Sequence, residues 1–185
     1  RHGDNPDPLV MIRDTRGGPT DGYSQIVIYM NDRAALFAAT TAVLEQLNLT
    51  IVDARTSSSE GPYSVSACIV LDEKGQPLGK DQARKERVRQ RLIEELDDPD
   101  DYPDIIHRRT PRQLKHFSFP TQVTFSNDTV NQRTVMELIT PDRPGLLARV
   151  GSILFENNVR LTNAKIATLG ERVEDVFFIT DDAGD

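Results

Sequence analysis

TPDRPGLLARVGSIL, residues 140–154, carries an extended chain into a helix across a Pro-Gly pair. Leu146, Leu147, Val150, Ile153 and Leu154 recur at helical spacing, and residues 134–139 just upstream (TVMELI) read as a strand. Glycine is a poor helix former, so a helix opening on Gly145 calls for a reason. Residues 31–44, NDRAALFAATTAVL, repeat the phrase with Ala34-Ala35 in place of Pro144-Gly145.

Offset by 110 positions, residues 32–70 align with 142–180 without a gap. Identities are few (Asp32/Asp142, Arg33/Arg143, Leu36/Leu146, Ala54/Ala164), yet the periodicity changes at the same points in both copies. A strand (25–30 and 134–139) leads to a helix that stops at Asn48 or Asn157-Asn158, where a left-handed cap is tolerated. Two strands follow across a turn, 50–56 and 63–71 in the first copy, 160–168 and 173–180 in the second. The first copy continues with a loop (72–79) and an amphipathic helix at about 80–96, whose Val88, Leu92, Ile93 and Leu96 form one apolar stripe. A strand candidate lies within 115–125.

Strand–helix–strand–strand–helix–strand is the order of a ferredoxin-like α+β sandwich, so the chain reads as two such units in tandem. Residues 1–22 form a leading segment, 23–119 the first unit with an acidic linker at 97–113, and 120–185 the second. The second unit reads as truncated after its third strand, its missing edge filled by a partner chain or left frayed. Segments 8–14 and 121–126 each precede a first strand and are placed to form a hairpin with it.

The net charge of −7 argues against nucleic acid as a partner, because phosphate binding needs clustered Lys and Arg. No apolar run reaches the roughly 20 residues of a membrane span, and the first residues lack the apolar core of a secretory signal. The single Cys68 excludes an internal disulfide framework and suits a reducing cytoplasm; its place in an alternating strand reads as a buried structural thiol. His2, His107 and His116 match no metal-ligand spacing, and residues 97–104 (DDPDDYPD) lack the alternation of a calcium loop. Asp142 with Glu137, or Glu174 with Asp175, read as exposed strand or turn residues rather than a catalytic pair. No catalytic constellation and no metal or cofactor site is evident in the chain.

Binding chemistry is another matter. A helix N-terminus leaves amides unpaired, and Gly145 removes a Cβ where those amides converge, which suits a small carboxylate. Asp142 lies at a favoured N-cap position, placed to meet an ammonium group, and Pro144 suits a first helical turn. The bland alternative, a tight strand-to-helix turn with no ligand, stays open.

These residues resemble the ACT-domain family, ferredoxin-like regulatory modules that bind amino acids at the loop between first strand and first helix. LVMIRDTRGG (9–18), NDRAALFAA (31–39), LKHFSFPTQVTF (114–125), DRPGLLARVG (142–151) and LGERVEDVFFIT (169–180) together resemble the tandem ACT region of bifunctional PII uridylyltransferase/uridylyl-removing enzymes. That resemblance implies a glutamine sensor. Its implied partners are PII protein and UTP, and its magnesium belongs to catalytic domains outside this stretch. It implies ligand positions at Asp142, Arg143, Pro144, Gly145, Leu146 and Leu147, with Arg160 facing the same crevice. A weaker site falls on Asp32, Arg33, Ala34, Ala35, Leu36 and Phe37 with Thr50, where the methyl groups of Ala34-Ala35 would crowd a carboxylate. A stand-alone amino-acid-binding repeat protein, or an interaction module pairing through its sheet edges, remain the other readings.

Overall fold

A computed structural model describes residues 7–15, 22–33, 35–58, 62–107, 119–169 and 172–181. The element order is β1 (Leu9–Thr15), β2 (Tyr23–Asn31), α1 (Leu36–Gln46), β3 (Thr50–Ser58), β4 (Tyr63–Leu71), α2 (Gln82–Asp97) and, after a 3-10 turn at Pro99–Asp101, α3 (Tyr102–His107). Then come β5 (Gln122–Asp128), β6 (Arg133–Pro141), α4 (Leu146–Glu156), β7 (Val159–Lys165), β8 (Thr168–Leu169) and β9 (Arg172–Asp181).

The internal repeat holds in detail. β2-α1-β3-β4 matches β6-α4-β7-β9, and the chain turns left-handed past each helix at Asn48 (φ 56°) and Asn158 (φ 55°). Even the irregularities repeat: β3 slips register between Ile51 and Asp53, and β7 between Leu161 and Asn163. An extra residue bends a strand and sharpens its twist, so both copies curve at the same point.

Every neighbouring strand pair is antiparallel, and the two units share one sheet in the order β1-β2-β4-β3-β7-β9-β6-β5, with β8 on β9. The seam is β3 against β7, where Asp53, Ala54 and Arg55 face Lys165, Ala164 and Asn163. Apolar alternation places Ile26, Ile28, Cys68, Val70 and Ala54 in the core of the first unit, with Met136, Leu138, Phe177 and Ile179 in the second. Val43 and Leu44 from α1 and Val88, Leu92 and Leu96 from α2 close the first core.

Two expectations change. Residues 122–125 of the strand candidate belong to β5 and pair with β6, not with the first unit, while residues 115–118 lie outside the described ones. The sheet position beside β2 is held instead by β1. Each unit thus draws this edge strand from the segment preceding its first strand, as the hairpin reading anticipates, and β5 of the same chain fills the edge of the second unit. A short hairpin closes a small loop at low entropic cost, which favours this neighbour over a distant one. The acidic linker also contributes to the core. α3 within it buries Tyr102 and Ile105, and the Tyr102 hydroxyl donates to the Leu96 carbonyl at 3.0 Å. In the first unit Val10 lies buried and Ile12 half-buried, with α2 packed against β1. Their register equivalents Val123 and Phe125 are 47% and 64% exposed, because among the described residues no helix covers β5.

At the seam α1 packs beside α4. Gly151 is the point of closest approach: a Cβ there would lie 2.9 Å from Phe37 Cδ1 and 3.0 Å from the Cα and Cβ of Ala38. One of these obstacles is backbone, so the helices must separate to admit a methyl group. Gly151→Ala is therefore expected to destabilise the chain by about 1–3 kcal/mol despite alanine's better helix propensity, read as a lower midpoint in urea denaturation. A neutral or stabilising effect would refute the close helix contact.

Candidate functional site

The loops singled out in the sequence share one backbone solution. Gly145 caps α4 in a left-handed conformation (φ 74°, ψ 12°), and Ala35 caps α1 in nearly the same one (φ 58°, ψ 13°). Leu146 N–H donates to the Arg143 carbonyl at 3.2 Å, and Leu36 N–H to the Arg33 carbonyl at 3.3 Å. Neither cap residue makes a side-chain hydrogen bond to its own helix. Asp142 is therefore not the N-cap, and Pro144 lies in the turn before the helix rather than in its first turn. A Cβ built on Gly145 meets no heavy atom within 4 Å, so crowding is not what the glycine avoids. It removes a left-handed backbone penalty of roughly 1–2 kcal/mol that Ala35 accepts.

Each loop faces the other unit, and two crevices result, related by the repeat. One, of about 80 Å³, brings Asp142, Arg143, Leu146 and Leu147 against Thr41, Glu45 and Thr50 of the first unit. The other, of about 430 Å³, brings Asp32, Arg33, Ala35, Leu36 and Phe37 against Phe155, Asn158 and Arg160 of the second. Ala34 lies outside the described residues. Arg160 is consequently not in the Gly145 crevice, and Thr50 is not in the Asp32 crevice; the two exchange places. Reading each module singly puts strand and loop of one copy together, whereas β3–β7 pairing directs each second strand to its neighbour's loop.

The Gly145 crevice is acidic and partly filled. Gly145 N–H donates to both carboxylate oxygens of Glu45, each at 2.8 Å. Asp175 is 1% exposed on its wall. Its Oδ1 accepts the Ala167 N–H at 3.1 Å, while Oδ2 is buried without a hydrogen-bond partner. Burial pushes the Asp175 carboxyl up to about 7; the Ala167 hydrogen bond opposes this, and the nearby Asp142 charge adds to it. Asp175 is thus no exposed strand residue. The alternation Val173, Asp175, Phe177, Ile179 placed it on the inward face, and that signal was legible in the sequence.

The larger crevice carries opposite charges. Arg160 Nη2 lies 3.3 Å from Asp32 Oδ2 across the seam, both side chains partly exposed. Arg33 is turned toward α2, donating to the carbonyls of Leu96 (3.0 Å) and Asp97 (2.5 Å), where a cation meets the negative helix terminus. Phe155 stands where the repeat places Glu45 in the first crevice, so no carboxylate takes that position. Glu45, Phe155 and Asn158 were missed as site residues from sequence, since only the seam brings them to the loops.

The remaining candidates hold little chemistry. Cys68 is buried, its thiol pushed up to about 12 by burial and then by Asp53. Among the described residues no three His, Cys, Asp or Glu side chains gather to hold a metal, and no helix is long and apolar enough to cross a membrane. His2 and His116 lie outside the described residues.

Residues 134–185 match the family model of the ACT domain. The chain is 54% identical over 174 residues to a bifunctional uridylyltransferase/uridylyl-removing enzyme of Pseudomonas fluorescens, covering 94% of this chain and 19% of the relative. It is 52% identical to the enzyme of that name from Stutzerimonas stutzeri over 97% of this chain and 20% of the relative. The chain therefore spans about a fifth of the length of these curated relatives. Among solved structures, aspartate kinase from Synechocystis aligns with 88% of this chain and 25% of its own, at 17% identity and a TM-score of 0.46.

Asp175 has a measurable consequence for stability. Between about pH 4 and pH 7 the folded chain holds a proton on this carboxyl that the unfolded chain has released. Its contribution to stability therefore declines as pH rises through that window and is flat above it. Asp175→Asn is expected to gain on the wild type by on the order of 2–4 kcal/mol between pH 4 and pH 8, measured by urea denaturation at each pH. Parallel stability profiles would show that the buried carboxyl is not protonated.

Proposed function

We propose, for a chain that resembles one fifth of the bifunctional uridylyltransferase/uridylyl-removing enzymes over nearly its whole length, that it is the amino-acid-sensing regulatory segment of such an enzyme. The ligand is glutamine. The observation that carries this reading is the Arg160–Asp32 pair at the larger crevice, built from a strand-to-helix loop of the first unit and the opposing second unit. A free amino acid is a zwitterion. Its carboxylate matches the Arg160 guanidinium and its ammonium matches Asp32, each as a charge-assisted hydrogen bond. Leu36, Phe37, Leu154 and Leu161 wall the crevice, and Thr56, Ser66 and Asn158 supply polar groups for a carboxamide.

A ligand held there touches both units, so it favours one packing of α1 against α4 over another. That preference supplies regulation only to the extent that the two packings differ in affinity for glutamine. In the whole protein the bound state turns activity from uridylyl transfer onto PII toward removal of UMP. UTP and magnesium belong to catalytic domains beyond this stretch, and the segment works in the cytoplasm.

Calorimetry of the chain with glutamine tests the site. Arg160→Ala and Asp32→Ala should each weaken binding at least tenfold, the loss of one charge-assisted contact of about 1.5–3 kcal/mol. Arg143→Ala, in the other crevice, should leave the affinity of this site unchanged. No heat from any of the twenty amino acids would sink the sensor and favour a ligand-free interaction module.

A further inference from the structure

We propose that Glu45 is a tethered stand-in for a ligand carboxylate, holding the Gly145 crevice shut so that the chain takes one amino acid rather than two. The proposal rests on the amino-acid reading above and concerns the crevice that reading leaves out. Gly145 N–H is the loop amide that a carboxylate would reach, and both oxygens of Glu45 already lie 2.8 Å from it. The residual cavity is about 80 Å³, against about 430 Å³ in the crevice where Phe155 takes the equivalent place. The carboxylate arrives from the last turn of α1, so the first unit caps the loop of the second.

What remains is fitted to a cation. Asp175, nearly fully buried on the wall, directs an oxygen without a partner at the crevice, and Asp142 lies beside it. A buried acceptor left unpaired costs about 1–3 kcal/mol, which an ammonium donor would relieve. With Glu45 withdrawn, the crevice offers an amide for a carboxylate and Asp175 for an ammonium, the two halves of an amino acid. Arg143 is the basic group on this wall, and its exposed side chain leaves the acidic character in place. Occupation of the second crevice thus requires Glu45 to leave α4, which places a barrier at the seam between the units.

The experiment is the stoichiometry of glutamine binding to the full chain by calorimetry. The wild type should bind one glutamine and Glu45→Ala two, with the double variant Glu45→Ala/Asp175→Asn back at one. Two sites in the wild type, or one in Glu45→Ala, would overturn the role of Glu45 while leaving the sensor reading intact. No binding to either would overturn both. Should Glu45→Ala fail to fold, the wild-type amide spectrum decides. In a glutamine titration the Ala35 and Gly145 resonances should follow one and the same saturation curve; a second, separate saturation at Gly145 would refute a closed crevice.

Discussion

Antiparallel pairing of β3 with β7 is the contact on which the other features depend. It joins two four-stranded units into one sheet and brings α1 beside α4 on the same side. The helices approach closely because Gly151 presents no side chain to Ala38. With both layers aligned, each strand-to-helix loop looks across the seam at the end of its neighbour's helix. Neither crevice exists within a single unit; both are products of the seam.

The two crevices share a backbone and differ in chemistry. Gly145 and Ala35 adopt the same left-handed cap, so the Pro-Gly against Ala-Ala contrast in the sequence does not translate into open against crowded amides. The distinction comes from across the seam, where Glu45 meets the Gly145 amide and Phe155 lines the other crevice. A carboxylate at one helix end and an aromatic ring at the other make one crevice small and acidic, the other larger and spanned by an ion pair. Duplicated modules diverge here in the residues they present to each other.

Buried charge sharpens the contrast. Asp175 keeps an acceptor without a donor inside the smaller crevice, and burial raises its pKa to about 7. Such a group is costly unless something occasionally satisfies it. In the larger crevice Arg160 and Asp32 satisfy one another at partial exposure, a pair weak enough for a zwitterion to part.

Local structure was legible in the sequence. Apolar alternation located the strands, 3.6-residue periodicity the helices, and the two asparagines their ends, because these depend on each residue's own backbone preferences and nearest neighbours. The repeat followed from the same signals, and so did the two hairpins and the ferredoxin-like order. Tertiary structure alone decided that β3 meets β7, that Arg160 faces Asp32 and Thr50 faces Asp142, and that Glu45 occupies the Gly145 amide. Those pairings join residues about a hundred positions or more apart, across an interface between two units. Periodicity within either unit carries no information about which of its edges the other will meet.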